Sequence, residues 1–368
     1  LSNPLRVGFV GCGSVMSGPY MSLARQLRER GRIETVAACD VVGSKESFVR
    51  DELGIPKFST SYEDVVTSPD VDAVLVLTSM PEHGKIARAA LENGKHVLVE
   101  KPMATTLAEA AELLEFSKSA PGHLICAPHV VLSPTFQAID AHLKRGDVGR
   151  PHLARARYGW SGPWWGQWFY KSGGGPLFDL GVYNVTSLTG WFGPVRRVTA
   201  MAGIANATRV VDGEEMKVEA EDNFQILLDF GNAFFGSVTT GFTMQQYRGP
   251  AIELYGSDGT IQMMGDDWAP AGYELWQNSV GAWQIHADRD PRWPWTDGLQ
   301  HLVECVETGR SPLVTAEHAF HVLEVMLAAI DAARDGQTRT ITSTFTPPSF
   351  AAPESEEAAH LRHDPSRD

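Results

Sequence analysis

An apolar run, Val97–Leu98–Val99, ends abruptly in Glu100, Lys101 and Pro102. The run reads as a buried parallel strand. Pro102 has no N–H for a ladder and stops it. In open α/β sheets ligands bind beyond the carboxyl ends of the strands, so a lysine held there is aimed at a cleft. The plain alternative is a surface turn with a solvated Lys–Glu pair. A second strand end carries Gly11–Cys12–Gly13–Ser14–Val15–Met16. Gly11 would make a tight turn. Gly13 would let the backbone of Ser14 and Val15, at a helix start, approach a pyrophosphate. Met16 stands where that fingerprint wants Gly or Ala, and its bulk should loosen the helix–strand contact. Asp40 ends the next strand. A carboxylate there accepts both ribose hydroxyls and repels a 2′-phosphate, which favours NAD over NADP. A third strand end, Thr78–Ser79–Met80–Pro81–Glu82–His83, offers small residues (Thr78, Ser79, Pro81) that can lie under a ribose. His83 is either a cofactor contact or an ordinary first-turn residue.

These strand ends need a sheet to align them. Strands are expected at Arg6–Val10, Glu34–Cys39, Asp72–Leu77, His96–Val99 and His123–Ala127. Helices are expected over 14–30, 44–53, 82–93, 105–119 and 134–145. The alternation predicts a doubly wound parallel sheet in residues 1–149. From Pro151 a second domain begins, reaching about residue 345. Its strands are expected at 151–158, 198–204, 217–230, 234–242, 251–255 and 260–264, with turns at Gly231–Asn232 and Asp258–Gly259. Helices should close it over 297–307 and 316–334. Residues 346–368, rich in Pro, Ala and charge, read as a tail.

The formal net charge of −14 excludes a broad basic face for nucleic acid or anionic membrane. No apolar run is long enough for a membrane span. Cys12, Cys39, Cys126 and Cys305 are widely spaced, without a zinc or Cys-x-x-Cys pattern, so no metal is expected and a reduced, cytoplasmic compartment fits. All ten tryptophans follow residue 150. Four fall in Trp160–Trp168 and five in Trp268–Trp295, both loop-like. Aromatic faces in loops suit the CH-rich faces of sugar rings, or else anchor loops or subunits. Trp164 and Trp165 are the preferred substrate contacts because they closely precede Gly173–Gly174–Gly175. After that turn a helix should run from Pro176 to Trp191, with Asp179 and Tyr183 on one face.

The glycine turn with Asp40, the Thr78–His83 strand end, Leu91–Glu92–Asn93–Gly94–Lys95–His96–Val97 leading to Glu100–Lys101–Pro102, and Gly173–Tyr183 together resemble the Gfo/Idh/MocA oxidoreductases. The resemblance spans nearly all of residues 5–343. It implies a Rossmann domain and a C-terminal α/β domain with a large open, mostly antiparallel sheet that often makes homodimers or homotetramers. It also implies a bound nicotinamide nucleotide, sugar or cyclitol substrates, and a Lys–Pro bond that is often cis. The chain departs from the pattern in places. Many members carry His where this chain has Tyr183, Asp where it has Thr186, and an arginine in the segment that here reads Val131–Leu132–Ser133–Pro134, just after His129.

Three readings follow. The first is a dehydrogenase. Tyr183 is the main acid/base, Lys101 binds the reacting oxygen and lowers the Tyr183 pKa, and Asp179 orients Lys101, with Lys101 and Tyr183 exchangeable in role. Glu100 joins the cofactor side. The second is a redox-neutral, NAD-dependent glycoside hydrolase, in which His129 and the extra tryptophans serve a glycoside. The third is a non-catalytic NAD-binding protein, against which the set Lys101, Asp179 and Tyr183 argues. Arg157, Lys171 and Arg248 are candidates for an anion site on an acidic sugar.

Overall fold

The computed structural model describes residues 3–287 and 293–350. The tail from 351 onward lies outside the described residues. Strands β1 (Leu5–Val10), β2 (Ile33–Cys39), β3 (Lys57–Ser59), β4 (Ala73–Val76), β5 (His96–Val99) and β6 (Leu124–Cys126) pair in parallel in the order β3-β2-β1-β4-β5-β6. Helices α1 (Met21–Glu29), α2 (Glu63–Val66), α3 (His83–Glu92), α4 (Leu107–Ser117) and α5 (Pro134–Arg145) connect and follow them. The unbroken apolar runs of β4 and β5 are fully buried, as a parallel sheet covered on both faces requires. Strand order reverses between β1 and β4, and a crevice forms there at the strand ends.

The glycine turn after β1 leads into a wide π-turn over Met16–Tyr20 before α1 begins. Met16 is fully buried in that turn. The expected loosening is absent, because the wider turn makes room for the longer side chain. The helix expected over 44–53 forms as one continuous helical stretch over 43–52, tight at its start (Gly43–Lys45) and wide at its end (Phe48–Glu52).

The second sheet has nine strands: β7 (Pro151–Gly159), β8 (Arg197–Gly203), β11 (Asn223–Gly231), β12 (Phe234–Gly241), β13 (Ile252–Gly256), β14 (Gly259–Asp266), β15 (Ala269–Gln277), β16 (Trp283–Ala287) and β17 (Arg339–Thr340). Their order is β16-β15-β14-β13-β7-β12-β11-β8-β17, and β7 with β12 is the parallel pair among antiparallel ones. A separate hairpin, β9 (Thr208–Val211) with β10 (Glu214–Lys217), takes up the start of the strand expected over 217–230, which otherwise forms from Asn223. The hairpin's turn is Asp212–Gly213, both at positive φ, a hairpin signal that was present in the sequence.

Strands β15 and β16 occupy what read as a loop. Pro270 and Gly272 mask β15, and a bulge at Gly265 shifts its register against β14. Trp276 and Trp283 therefore lie on strands, with ring centroids 5.8 Å apart. The inner sheet face packs on α6 (Val182–Phe192) and α8 (Ala316–Asp335). The outer face leaves Met201, Leu227, Phe235 and Ile285 exposed.

Helix α7 (Gly298–Thr308), read with the second domain, packs instead on α1 and β5 of the first. Arg32 ties it there through Glu307 at 2.7 Å. The apolar face of α7 covers the parallel sheet, so the chain returns to its first layer before ending. Phe345 stacks on His318 at 4.2 Å, and Phe350 meets Phe136 of α5 edge-on. The start of the expected tail is thus packed on the fold. The four cysteines are buried free thiols, as read from their apolar surroundings.

Candidate active site

The crevice between the two layers is lined on one side by Gly13, Ser14, Val15, Thr78, Ser79, Glu100 and Lys101. On the other side stand Asp179, Tyr183 and a set of aromatic rings. Gly11 sits at φ +97°, and a Cβ there would lie 2.5 Å from the Leu77 carbonyl oxygen, so only glycine fits between the ends of β1 and β4. A Cβ on Gly13 would meet nothing within 4 Å. The turn is bare on that side and presents the first N–H groups of a helix to the crevice, which suits a pyrophosphate.

Asp40 is almost fully buried at the end of β2. Its carboxylate accepts from Cys12 N and Val42 N, each at 2.9 Å, and from Lys45 Nζ at 2.6 Å. Burial alone would raise its pKa, but Lys45 and the two backbone amides outweigh it and hold the group below the usual carboxylate range. Asp40 stays ionised. These residues fit a dinucleotide: a bare glycine turn for the phosphates and a fixed carboxylate for a ribose.

The Lys101–Pro102 bond is cis, and so is Ala127–Pro128. Lys101 Nζ donates to Asp179 Oδ1 and to the Asp179 carbonyl, both at 2.8 Å. Asp179 lies in a π-turn, Leu177–Gly181, that precedes α6. A turn of this width lets an outside donor reach a helix carbonyl. Two of the three ammonium protons are thereby held, and the third is free for a ligand. The same Nζ stands 5.4 Å from the centre of the Tyr183 ring. The Tyr183 hydroxyl has no hydrogen-bond partner among the described residues. Burial, with Glu100 and Asp179 nearby, pushes the Tyr183 phenol well above its ordinary pKa. That is opposite to the expectation that Lys101 lowers it, and it keeps the proton on the phenol.

Glu100 accepts from Tyr20 Oη at 2.8 Å and from Lys101 N at 3.1 Å, tying the π-turn beyond the glycine loop to the lysine turn. His83 is 1% exposed, with Nδ1 2.8 Å from the Pro102 carbonyl oxygen and Nε2 3.0 Å from that of Thr78. Burial lowers its pKa. Both nitrogens of the ring brace the two strand-end loops, while the residue also lines the crevice. Pro81 is exposed on the outer side of the helix start and does not line the crevice.

The tryptophan expectation is half corrected. Trp165 lines the crevice, but Trp164 is 72% exposed and rests edge-on against Trp165 from behind, centroids 5.2 Å apart. Trp160, Trp168 and Phe169 line the crevice too, and so do Trp268 and Trp295 from the group ranked second. The glycine triplet explains the first set. A Cβ on Gly174 would lie 2.5 Å from the Trp168 carbonyl oxygen, so this turn clamps the tryptophan loop beside Asp179. His129 is corrected as a substrate contact. It is 1% exposed behind the crevice wall, its Nδ1 3.2 Å from the Trp295 carbonyl oxygen and its Nε2 unpartnered. The anion site does not assemble either. Arg157 donates to the Arg248 carbonyl at 2.8 Å, and Lys171 pairs with Glu219 at 3.5 Å. Among the described residues no acid, His and Cys cluster could hold a metal, and no helix is long and apolar enough to cross a membrane.

Residues 5–126 match the family described as "Oxidoreductase family, NAD-binding Rossmann fold", and residues 136–262 match the "GFO/IDH/MocA C-terminal domain". A trans-1,2-dihydrobenzene-1,2-diol dehydrogenase of Bos taurus is 25% identical over 346 residues, covering 89% of this chain and 97% of its own. A 1,5-anhydro-D-fructose reductase of Ensifer adhaerens is 28% identical over 316 residues, covering 84% and 91%. A levoglucosan dehydrogenase in complex with NADH has the same fold, with a TM-score of 0.82 at 18% identity, covering 92% of this chain and 100% of that one.

Proposed function

The chain belongs to the Gfo/Idh/MocA oxidoreductases, a family with an NAD-binding Rossmann domain, and on that footing we propose that it oxidises a secondary hydroxyl of a sugar or cyclitol to a ketone. The observation that carries the reading is Lys101, fixed by two bonds to Asp179 beside a neutral Tyr183 at the rim of a crevice lined by aromatic rings. NAD⁺, when bound, supplies the hydride acceptor. Ser14, Val15 and the Gly13 turn would hold its phosphates, Asp40 its adenosine ribose, and Thr78 and Ser79 the stretch between.

Two N–H groups of Lys101 stay on Asp179, and the remaining position on Nζ meets the substrate hydroxyl and takes up its proton as the hydride leaves. Asp179 keeps the amine in direction and stabilises the ammonium that forms. Tyr183 donates to the same oxygen. Of the two exchangeable assignments, the raised Tyr183 phenol favours Lys101 as the base and Tyr183 as the donor. The relatives act, by name, on a dihydrodiol and an anhydro-sugar, which supports a polyhydroxylated substrate.

The redox-neutral hydrolase needs a further base for a carbon-bound proton. His129, which that reading gave to the glycoside, is shut behind the wall. The test is NADH absorbance against a panel of sugars, cyclitols and glycosides in excess NAD⁺. NADH accumulating one-for-one with ketone is expected. Release of an aglycone without net NADH would replace this reading by the hydrolase.

The exposed apolar side chains Met201, Leu227, Phe235 and Ile285 on the outer sheet face favour a second copy of this chain as a partner. Sedimentation should read a dimer or tetramer, and Leu227→Asp should shift it to monomer. A monomeric wild type would reject the interface.

A further inference from the structure

Beyond the catalytic crevice lies a second pocket lined by Tyr158, Trp160, Gln245, Gln246, Tyr247, Asp266 and Trp268. Three of these, Tyr158, Trp160 and Trp268, also line the crevice at Lys101. The two spaces share one wall of rings. They are also close, since Tyr158 meets Tyr183 edge-on with centroids 6.0 Å apart. Resting on the proposed function, we infer that this pocket is a second sugar subsite, and that the substrate is a neutral disaccharide or glycoside rather than a free monosaccharide.

The chemistry of the lining selects that ligand. Asp266 accepts from Tyr247 Oη at 2.9 Å through Oδ1, which leaves Oδ2 for a hydroxyl. Gln245 and Gln246 are exposed carboxamides beside it, each able to donate and accept. Tyr158, Trp160 and Trp268 supply ring faces for C–H groups. A carboxylate, two amides and aromatic faces form the set that meets a polyol ring. The carboxylate disfavours an anionic group, and Arg157 is committed elsewhere. Arg157 lies over the Tyr247 ring at 5.0 Å and donates to the Arg248 carbonyl. That stacking holds Tyr247, and with it Asp266, in place. The pocket is thus built on the ends of β7 and β14, which flank β13 in the sheet, and on the segment between β12 and β13.

The test is isothermal titration with NAD⁺ saturating, using matched pairs: glucose with cellobiose, maltose and trehalose, and galactose with lactose. At least one disaccharide should bind about tenfold or more tightly than its monosaccharide, the order that one or two retained hydrogen bonds give. Asp266→Asn and Gln246→Ala should each erase most of that advantage and leave monosaccharide affinity unchanged, with unfolding temperatures near wild type. Equal affinity for both members of every pair would overturn the subsite and leave the oxidoreductase reading standing. So would variants that weaken mono- and disaccharide alike. If no sugar binds or reduces NAD⁺, the proposed function fails and takes the subsite with it.

Discussion

Lys101→Met is expected to lower kcat by about a thousandfold, within the range of a positioned acid/base group, while NAD⁺ still binds. The argument is one of position. Nζ is pinned at 2.8 Å to both the carboxylate and the carbonyl of Asp179, in a side chain only 12% exposed. Methionine keeps the length and apolar stem of lysine but can neither hold a developing alkoxide nor take its proton. The substitution leaves the Asp179 carboxylate unpaired. That side chain is itself 19% exposed at an open crevice, so water can solvate it and the loss of stability should be modest. Turnover by NADH absorbance, NAD⁺ affinity by tryptophan quenching and the unfolding midpoint separate these effects. A Met variant that binds NAD⁺ and turns over at the wild-type rate would remove Lys101 from the chemistry.

What the sequence showed of this site divides by distance along the chain. Gly11, Gly13, Asp40 and Lys101 each announce themselves within a few residues, because a tight turn, a strand end and a proline stop are local events. The parallel sheet was readable for the same reason: its strands are short apolar runs between helices of ordinary period. The tryptophans were not. Whether Trp164 or Trp268 faces the crevice depends on how a loop is clamped by Gly174 and on a strand hidden behind Pro270 and Gly272. Both depend on tertiary contacts, the Gly174 approach to the Trp168 carbonyl and the pairing of β15 with β14. His129 misled in a similar way. A histidine near a strand end looks chemical, and only the packing of Trp295 and Gly298 around its ring shows that it is enclosed. The Tyr183 phenol was misjudged in sign because the groups that set its pKa come from both layers. Glu100 reaches it from the first domain and Asp179 from its own helix, while Lys101 spends its charge on Asp179.

Tyr183→Phe tests that sign directly. With its pKa raised well above 10.0 by burial and by the nearby carboxylates, Tyr183 stays protonated throughout the working pH range. Loss of the hydroxyl should therefore remove one hydrogen bond to the reacting oxygen, lowering kcat by about 10- to 100-fold, and should leave the pH dependence of the residual rate unchanged. Were Tyr183 the base, the Phe variant would lose the ionisation that governs the acid limb of kcat/KM. Stability supplies a second reading. A phenol with a raised pKa in the folded state binds its proton more tightly there than in the unfolded chain. Its contribution is then fully present below the unfolded pKa of about 10 and falls as pH rises through and beyond it. Wild type should accordingly lose stability on going above pH about 10 more steeply than Tyr183→Phe, in which that term is gone. Tyr20, raised likewise by burial and by Glu100, keeps a residual slope in both proteins. Parallel alkaline slopes for the two would mean that the Tyr183 phenol ionises in the fold as readily as in water. The base assigned to Lys101 would then have to be shared with Tyr183.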